Sequence, residues 1–288
     1  MQPRDISKHL KDNNNIDVSN NQIKRILKES GYCKRKPIKS LATGKSPYRE
    51  EQFRIILFIT SLFIIMKHNP MISIDTKKKE QLGQLTRNEA VICKDGIPVD
   101  VYDHDYSYLA TGKAIPHGIY DIGLNKGYIT IGNSHETAAF VVDNLKWWWQ
   151  EHGSKEYPQT TTILIFCDCG GANGYRHHLF KKLLQDFAKE IGLRILVVHY
   201  PPYCSKYNPI ERRLFSQVHK TIQGVLLSDI QQVKELMNKT NTSTGLTVIV
   251  RVVEKDYPIG ELSDKKDINQ KRILHHPELP NFSYTILP

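Results

Sequence analysis

The chain has 288 residues, of which 40 % are hydrophobic and 24 % are charged. These fractions are typical of globular proteins and exclude wholesale disorder, a collagen-like chain and a long coiled coil. Forty Lys and Arg against 30 Asp and Glu give a formal net charge of +10, which favours a polyanionic partner such as nucleic acid or an anionic membrane. Five cysteines, an odd number, indicate a reducing compartment rather than a disulfide framework.

The first 48 residues predict two short helices followed by a basic linker that begins near Cys33. Ser19 and Gln22 form a capping box at the start of the second helix. That helix carries Lys24, Arg25 and Lys28, as a recognition helix facing DNA phosphates would. A helix-turn-helix needs a third helix, so residues 1–48 are expected to be a truncated helix-turn-helix with its linker. The alternative is a solvated basic helical hairpin.

The next element is predicted to be a long, mostly buried helix between Tyr48 and Lys67. Its apolar stretch from Ile55 to Met66 is twelve residues long, and about 18 to 20 are needed to span a bilayer. A short strand from Met71 to Ile74 follows and ends at Asp75. Residues 49–288 are therefore expected to form the second, larger domain.

The rest of the chain alternates strand and helix, which predicts an α/β fold with a mixed central sheet flanked by helices. Residues 80–133 are interpreted as strands joined by loops. The later elements are a helix capped by Ser134 and ending near His152, a strand from Thr161 to Cys167, a helix from Asn173 to Ile191 that Gly192 ends, and a strand from Leu193 to Tyr200.

Three carboxylates stand at the ends of these elements. Asp75 and Asp168 each end a strand, and Glu211 opens the helix that follows a third strand. Such ends meet at one edge of an α/β sheet. Clustered carboxylates repel one another unless a cation neutralises them, and hard oxygen ligands select Mg²⁺ or Mn²⁺. A metal site on a basic protein indicates phosphodiester chemistry.

Each carboxylate also has a plainer explanation. The two aspartates are of a type common in turns, and Glu211 belongs to a good helix start in which Asn208 is the cap and Pro209 the first residue. Cys167 and Cys169 with nearby histidines are a weaker alternative, a zinc site, because no second cysteine pair stands at the usual spacing.

Three segments resemble a bacterial insertion-sequence transposase of the ISAzo type, which carries the Rhodopirellula-type transposase DDE domain within the mariner-like superfamily. The resemblance extends from about residue 16 to 288. Its motifs are Ser-Ile-Asp-Thr-Lys-Lys-Lys-Glu at 73–80, Cys-Asp-Cys-Gly-Gly-Ala-Asn-Gly-Tyr-Arg at 167–176, and Tyr-Pro-Pro-Tyr-Cys-Ser-Lys-Tyr-Asn-Pro-Ile-Glu-Arg-Arg-Leu-Phe at 200–215.

The resemblance implies an RNase H-like domain in which Asp75, Asp168 and Glu211 are catalytic and hold two Mg²⁺ or Mn²⁺ ions. It implies phosphodiester cleavage and strand transfer on double-stranded DNA, both transposon ends and target, by a homodimer acting on paired ends. The expected location is the bacterial cytoplasm, at the nucleoid. Family members usually have a longer N-terminal DNA-binding region, which agrees with the truncation expected above.

Basic residues beside the carboxylates are expected to hold DNA phosphates near the metals; they are Lys77, Lys78, Lys206, Arg212 and Arg213. Their alternative is a role as solvated surface charges. Two other functions stay open at this point: a truncated, non-catalytic DNA-binding protein of the element, and an RNase H-like nuclease that cuts DNA without transferring a 3′ end.

Overall fold

The structure is a computed structural model that describes residues 2–33, 46–86, 97 and 99–288. The chain divides into two compact units, Met1–Thr43 and Gly44–Pro288. Most of the predicted basic linker lies outside the described residues. The assignment of residues 1–48 and 49–288 as separate functional domains stays a prediction.

The N-terminal unit contains both predicted helices, α1 (Pro3–Asn14) and α2 (Asn20–Glu29). The capping box opens α2: the Gln22 amide donates to Ser19 Oγ at 3.2 Å, and the Ser19 amide donates to Gln22 Oε1 at 2.9 Å. Ile23 of α2 is buried. Two helices alone do not establish a helix-turn-helix, which stays a prediction.

The larger unit is built on one mixed sheet, which has nine strands among the described residues. Eight of them lie in the order β7-β4-β3-β1-β5-β6-β9-β8, and β2 pairs with β3. The strands are β1 (Met71–Thr76), β2 (Glu80–Leu82), β3 (Gly112–Asp121), β4 (Lys126–Gly132), β5 (Thr162–Cys167), β6 (Arg194–His199), β7 (Thr247–Val253), β8 (Ile273–His275) and β9 (Ser283–Ile286).

Helices cover both faces of this sheet, as the alternation of strand and helix predicts. They are α3 (Arg49–Ile65), α4 (Ala138–Trp148), α5 (Ser154–Glu156), α6 (His178–Ile191), α7 (Ser216–Ile222) and α8 (Ile230–Asn238). Residues alternate along β1: Ile72 and Ile74 pack with α4 and α6 on one face. On the other face, Met71 packs with α3, and Ser73 contacts Asn208 in the segment that leads to α7.

The helix α3 is less buried than its composition predicts. Ile55, Ile56, Ile59 and Phe63 pack on the sheet, but a second apolar face lies open: Leu57 is 69 % exposed and Ile65 is 78 % exposed. The prediction of a mostly buried helix is therefore wrong for this face, because an apolar sequence does not show how many faces of a helix its neighbours cover. No helix of the described residues is long and apolar enough to cross a membrane.

Two predicted helix starts are also corrected. Thr137, and not Ser134, caps α4 by accepting from the Phe140 amide at 3.3 Å, while Ser134 Oγ accepts from the Tyr257 amide. The helix predicted from Asn173 begins at His178, after a short turn over Gly171–Asn173. Its end at Gly192, which adopts the left-handed conformation with φ 67°, is as predicted.

Candidate active site

The three carboxylates predicted from the sequence lie at one edge of the sheet. β1 and β5 are parallel neighbours with Ser73 opposite Phe166, so the same register carried two residues further sets Asp75 opposite Asp168. Adjacent strands are about 4.8 Å apart. Glu211 begins a turn of π-helix, Glu211–Phe215, which leads into α7. The charges of Asp168 and Glu211 both act on Asp75.

Burial raises the pKa of all three carboxylates, and repulsion between neighbours adds to the shift at Asp75 and Asp168. Burial, and after it the charge of Asp168, raises the pKa of Asp75 to about 8, although a hydrogen bond from the Thr76 amide opposes the shift. Burial and the charge of Glu211 raise the pKa of Asp168 to about 6. Burial also raises the pKa of Glu211, against the attraction of Lys77. The shifts of Asp75 and Asp168 show negative charge that the surroundings do not fully compensate.

The donor set fits a divalent cation of the Mg²⁺ or Mn²⁺ class. Its oxygens are the ligands that such ions prefer, and a cation would offset the repulsion that contributes to the raised pKa values of Asp75 and Asp168. The nearby cation, Lys77, is buried and already paired with Glu80. Within the described part of the chain, no three His, Cys, Asp or Glu side chains are arranged so that they could hold a metal ion as they stand. The site is therefore open, and ion binding requires the carboxylates to approach one another.

A buried hydrogen-bond network joins the three carboxylate-bearing segments. Asn208 is fully buried, accepts a hydrogen bond from Ser73 Oγ, and donates to Asp168 Oδ1 at 3.3 Å and to the Ile74 carbonyl at 3.4 Å. Ser73 Oγ accepts from the Ile210 amide at 3.1 Å. Ser73 and Asn208 thus tie β1 to Asp168 and to the start of the Glu211 turn.

Asn208 stands just before the helix that begins at Pro209, as the sequence predicts, but this network takes the place of a side-chain cap. Its backbone carbonyl accepts from the Glu211 amide at 3.1 Å, but its side chain bonds to distant segments rather than to the helix that follows. Local sequence pattern predicts the cap, whereas Ser73 lies 135 residues away and Asp168 lies 40 residues away along the chain.

Two glycines allow the Glu211 segment to lie directly on the sheet. A Cβ at Gly127 of β4 would stand 2.4 Å from Leu214 Cδ1, and one at Gly118 of β3 would stand 2.7 Å from Phe215 Cε1. Side chains at these positions would push the Glu211 turn away from the sheet. The distance between Glu211 and the sheet therefore depends on glycine at both positions.

We expect Gly127→Ala to destabilise the protein by about 1–3 kcal/mol, because overpacking a tight contact forces neighbouring atoms apart. It should also weaken Mg²⁺ binding, since the Glu211 turn moves with Leu214. Urea unfolding and the Mg²⁺-induced rise in melting temperature measure the two effects. Gly112→Ala on β3 is the matched control, because its Cβ would meet Leu82 at 3.4 Å, an ordinary contact. Equal stability of the two variants would contradict the prediction.

Because the pKa of Asp75 is raised, the free energy of unfolding of the metal-free protein is expected to fall as the pH rises. The carboxyl binds its proton more tightly in the folded chain, where its pKa is about 8, than at the ordinary value of 3.8. Protonation therefore stabilises the fold fully below pH 4, and this stabilisation is lost as the pH rises through 8. In EDTA at pH 8, Asp75→Asn should be more stable than the wild type by the order of a few kcal/mol.

The measurement is the free energy of unfolding from pH 5 to pH 8. The wild-type curve should fall with rising pH, and the Asp75→Asn curve should be flatter. Added Mg²⁺ should restore stability to the wild type more than to the variant. Parallel curves for the two proteins in EDTA would show that Asp75 carries no raised pKa.

The structure places the basic residues predicted to contact DNA in different surroundings. Lys77 is buried against Glu80. The other residues predicted to contact DNA are exposed; they are Lys24, Arg25, Lys28, Lys78, Lys206, Arg212 and Arg213. In α2, Arg25 pairs with Glu29 at 3.7 Å. Near the carboxylates, the ammonium group of Lys206 lies 5.1 Å from the ring centre of Tyr207.

Sequence reasoning missed a fourth carboxylate at this site and considered the buried His199 only as a ligand in the weaker zinc alternative. The charge of Glu136, just before α4, contributes to the raised pKa of Asp75, and no motif marks it. His199, at the end of β6, is fully buried; its Nδ1 lies 2.9 Å from the Asp168 carbonyl oxygen and 3.3 Å from Cys167 Sγ. Burial lowers the pKa of His199 to about 4, so the ring is neutral and supports the strand ends.

Comparison with solved structures shows the fold. The chain is similar to the Mos1 transposase paired-end complex with left transposon end, with a TM-score of 0.53 and 12 % identity. The similarity to the mariner Mos1 paired end complex with Mg has the same TM-score and identity. In each case it covers 83 % of this chain and 66 % of the other, so the chain spans about two thirds of the length of the solved chains it matches.

The family follows from the sequence as a whole. No curated protein shows significant similarity to the chain. The family described as Rhodopirellula transposase DDE domain matches residues 1–288. The predicted RNase H-like mixed sheet with flanking helices is confirmed by the Mos1 fold. The chain belongs to the Rhodopirellula transposase DDE domain family.

Proposed function

We propose that the chain is a DNA transposase that cleaves phosphodiester bonds at the ends of its element and joins the freed 3′ ends to target DNA. The observation that carries this proposal is the gathering of Asp75, Asp168 and Glu211 at one sheet edge with raised pKa values. Membership of a transposase family supports it.

Asp75, Asp168 and Glu211 would hold two divalent ions, Mg²⁺ or Mn²⁺. When bound, such a pair supplies an activated oxygen nucleophile and stabilises the leaving oxygen of an in-line displacement. Asp75 must first lose the proton that its raised pKa retains. Asn208 and Ser73 hold Asp168 and the start of the Glu211 turn in place, and Lys77, which pairs with Glu80, sets a positive charge near Glu211.

Exposed cations near the carboxylates would bind the DNA backbone. Lys78 follows β1, Lys206 precedes Glu211, and Arg212 and Arg213 follow it. Contacts from lysine and arginine to phosphates position a duplex without reading its sequence. Lys77 would act through Glu211 instead, because it is buried and paired.

The proposed partners are transposon ends, target DNA and a second copy of the chain. The solved relatives support this, since they are described as a Mos1 paired-end complex with left transposon end and a pre-cleavage Mos1 transpososome. The exposed residues Lys24, Arg25 and Lys28 of α2 are proposed to contact the ends.

The test uses the purified full chain with duplexes copied from the flanks of its gene and a supercoiled target plasmid, with Mg²⁺, Mn²⁺ or EDTA. A transposase nicks the flank DNA only with metal and joins the freed 3′ end to the plasmid. Cleavage without joining would identify a nuclease. Binding without any metal-dependent cleavage would identify a non-catalytic DNA-binding protein. Either outcome would overturn the proposal.

A further inference from the structure

A basic pocket lies at the start of α6, on the side of the sheet edge beyond β6. It consists of two adjoining depressions of about 400 Å³ and 320 Å³ that share His178, Lys181 and Asn281. The larger is also lined by Lys265 and by His275 of β8. The smaller is lined by Tyr175 and Arg176. Among the residues that the structure describes, no carboxylate lines either depression.

The central cation of this pocket has no acidic partner. Lys181 is half-buried, lies 4.9 Å from the ring centre of Tyr284, and makes no ion pair with a described residue. Burial lowers the pKa of its amine, because desolvation penalises the charged form. The two acidic groups that flank Lys265 in the sequence are engaged elsewhere: Asp264 pairs with Lys266 at 3.3 Å, and Asp267 accepts from the Asp264 amide.

The first turn of α6 adds to this positive environment. The helix has 14 residues, and its N-cap residue His177 makes no side-chain capping hydrogen bond. The N-terminus of a helix carries a partial positive charge and favours anions. His178 and Lys181 belong to this first turn, so the helix end and the side chains act on the same space.

The wall of the pocket reaches His199, which contacts the backbone of Asp168. The ring of Tyr175, in its wall, lies 6.3 Å from the ring of His199, and His199 Nδ1 lies 2.9 Å from the Asp168 carbonyl oxygen. A DNA strand carries one phosphate per about 3.4 Å of helix axis. A strand whose reacting phosphate lies at the carboxylates therefore has neighbouring phosphates available to the pocket.

We propose that the pocket around Lys181 and Lys265 binds phosphate groups of the DNA backbone next to the reacting strand. The ligand is a phosphodiester, from the transposon end or from the target duplex. This inference rests on the proposed function and adds a contact surface to it. Lysines suit the role, because an ammonium group meets a phosphate as a point charge without demanding one orientation.

The test measures the affinity of the full chain for duplex DNA by fluorescence anisotropy between 50 and 300 mM salt. Lys181→Gln with Lys265→Gln should weaken binding and reduce the slope of log K against log salt by about 1 for each lysine. Lys189→Gln is the matched control, because Lys189 is an exposed lysine in the last turn of the same helix. Its slope should equal that of the wild type.

Two duplexes distinguish the source of the phosphate. If the double variant has a reduced salt slope with flank DNA and cleaves that DNA more slowly, the pocket binds the transposon end. Normal flank binding and cleavage, with a reduced slope on plasmid DNA and slower joining, would assign it to the target. If the wild type binds DNA and the double variant keeps the wild-type slope on both DNAs, the pocket does not bind phosphate, and the proposed function is unaffected. A wild type that binds neither duplex would overturn the proposed function.

Discussion

Asp168→Asn is expected to lower Mg²⁺-dependent cleavage of flank DNA by about three orders of magnitude or more. Loss of a metal ligand removes several kcal/mol of transition-state stabilisation, and each 1.4 kcal/mol corresponds to about a factor of ten. DNA binding should be unchanged or stronger, because the variant removes a negative charge close to the path of the phosphates. A gel assay of nicking and an anisotropy assay of binding measure the two effects.

The control for this variant is Asp186→Asn, which removes the same charge from an exposed position on α6. It should cleave at the wild-type rate. Normal cleavage by Asp168→Asn would show that the carboxylate is not a ligand. Loss of DNA binding together with cleavage would show that the substitution disturbs the fold or the DNA surface instead.

Asn208→Ala is expected to weaken Mg²⁺ binding about 10- to 100-fold, the usual effect of losing a residue that orients a metal ligand. The substitution removes the hydrogen bond to Asp168 and leaves Ser73 Oγ without its acceptor. It should also cost about 1–3 kcal/mol of stability, because buried polar groups lose partners. Isothermal titration with Mn²⁺ measures binding without depending on turnover.

Ser73→Ala separates positioning from a general loss of stability. It should reproduce part of the Mn²⁺ defect, because Ser73 holds Asn208 and the Ile210 amide. Asn241→Ala is the matched control, since Asn241 is exposed and donates only to the neighbouring Lys239 carbonyl. Wild-type Mn²⁺ affinity in a folded Asn208→Ala protein would show that Asn208 has only a structural role.

The carboxylates of the candidate site were predictable because strand ends are visible in the sequence. Apolar, β-branched runs end at Asp75 and Asp168, and the geometry of parallel strands brings such ends to one edge. Glu211 was predictable for a similar reason, as an acidic residue at a helix start. Each of these inferences needs only local pattern and a general rule about sheets.

The supporting contacts were not predictable, because they depend on which surfaces meet. Asn208 has the pattern of a cap, and only the packed structure shows that its side chain reaches Asp168. Gly127 lies in a strand with an alternating sequence pattern, and no nearby sequence feature predicts its close contact with Leu214. The apolar sequence of α3 likewise predicts burial without showing that Leu57 lies on an uncovered face.

The π-helical turn at Glu211–Phe215 makes chain length at this position as important as residue identity. Such a turn contains one residue more than a regular α-helix needs. Removing a single residue between Glu211 and Phe215 would restore ordinary helical hydrogen bonding, yet would rotate everything before the deletion by about 100°. The glutamate would then point away from the two aspartates, so this family should accept substitutions within the turn far more readily than deletions.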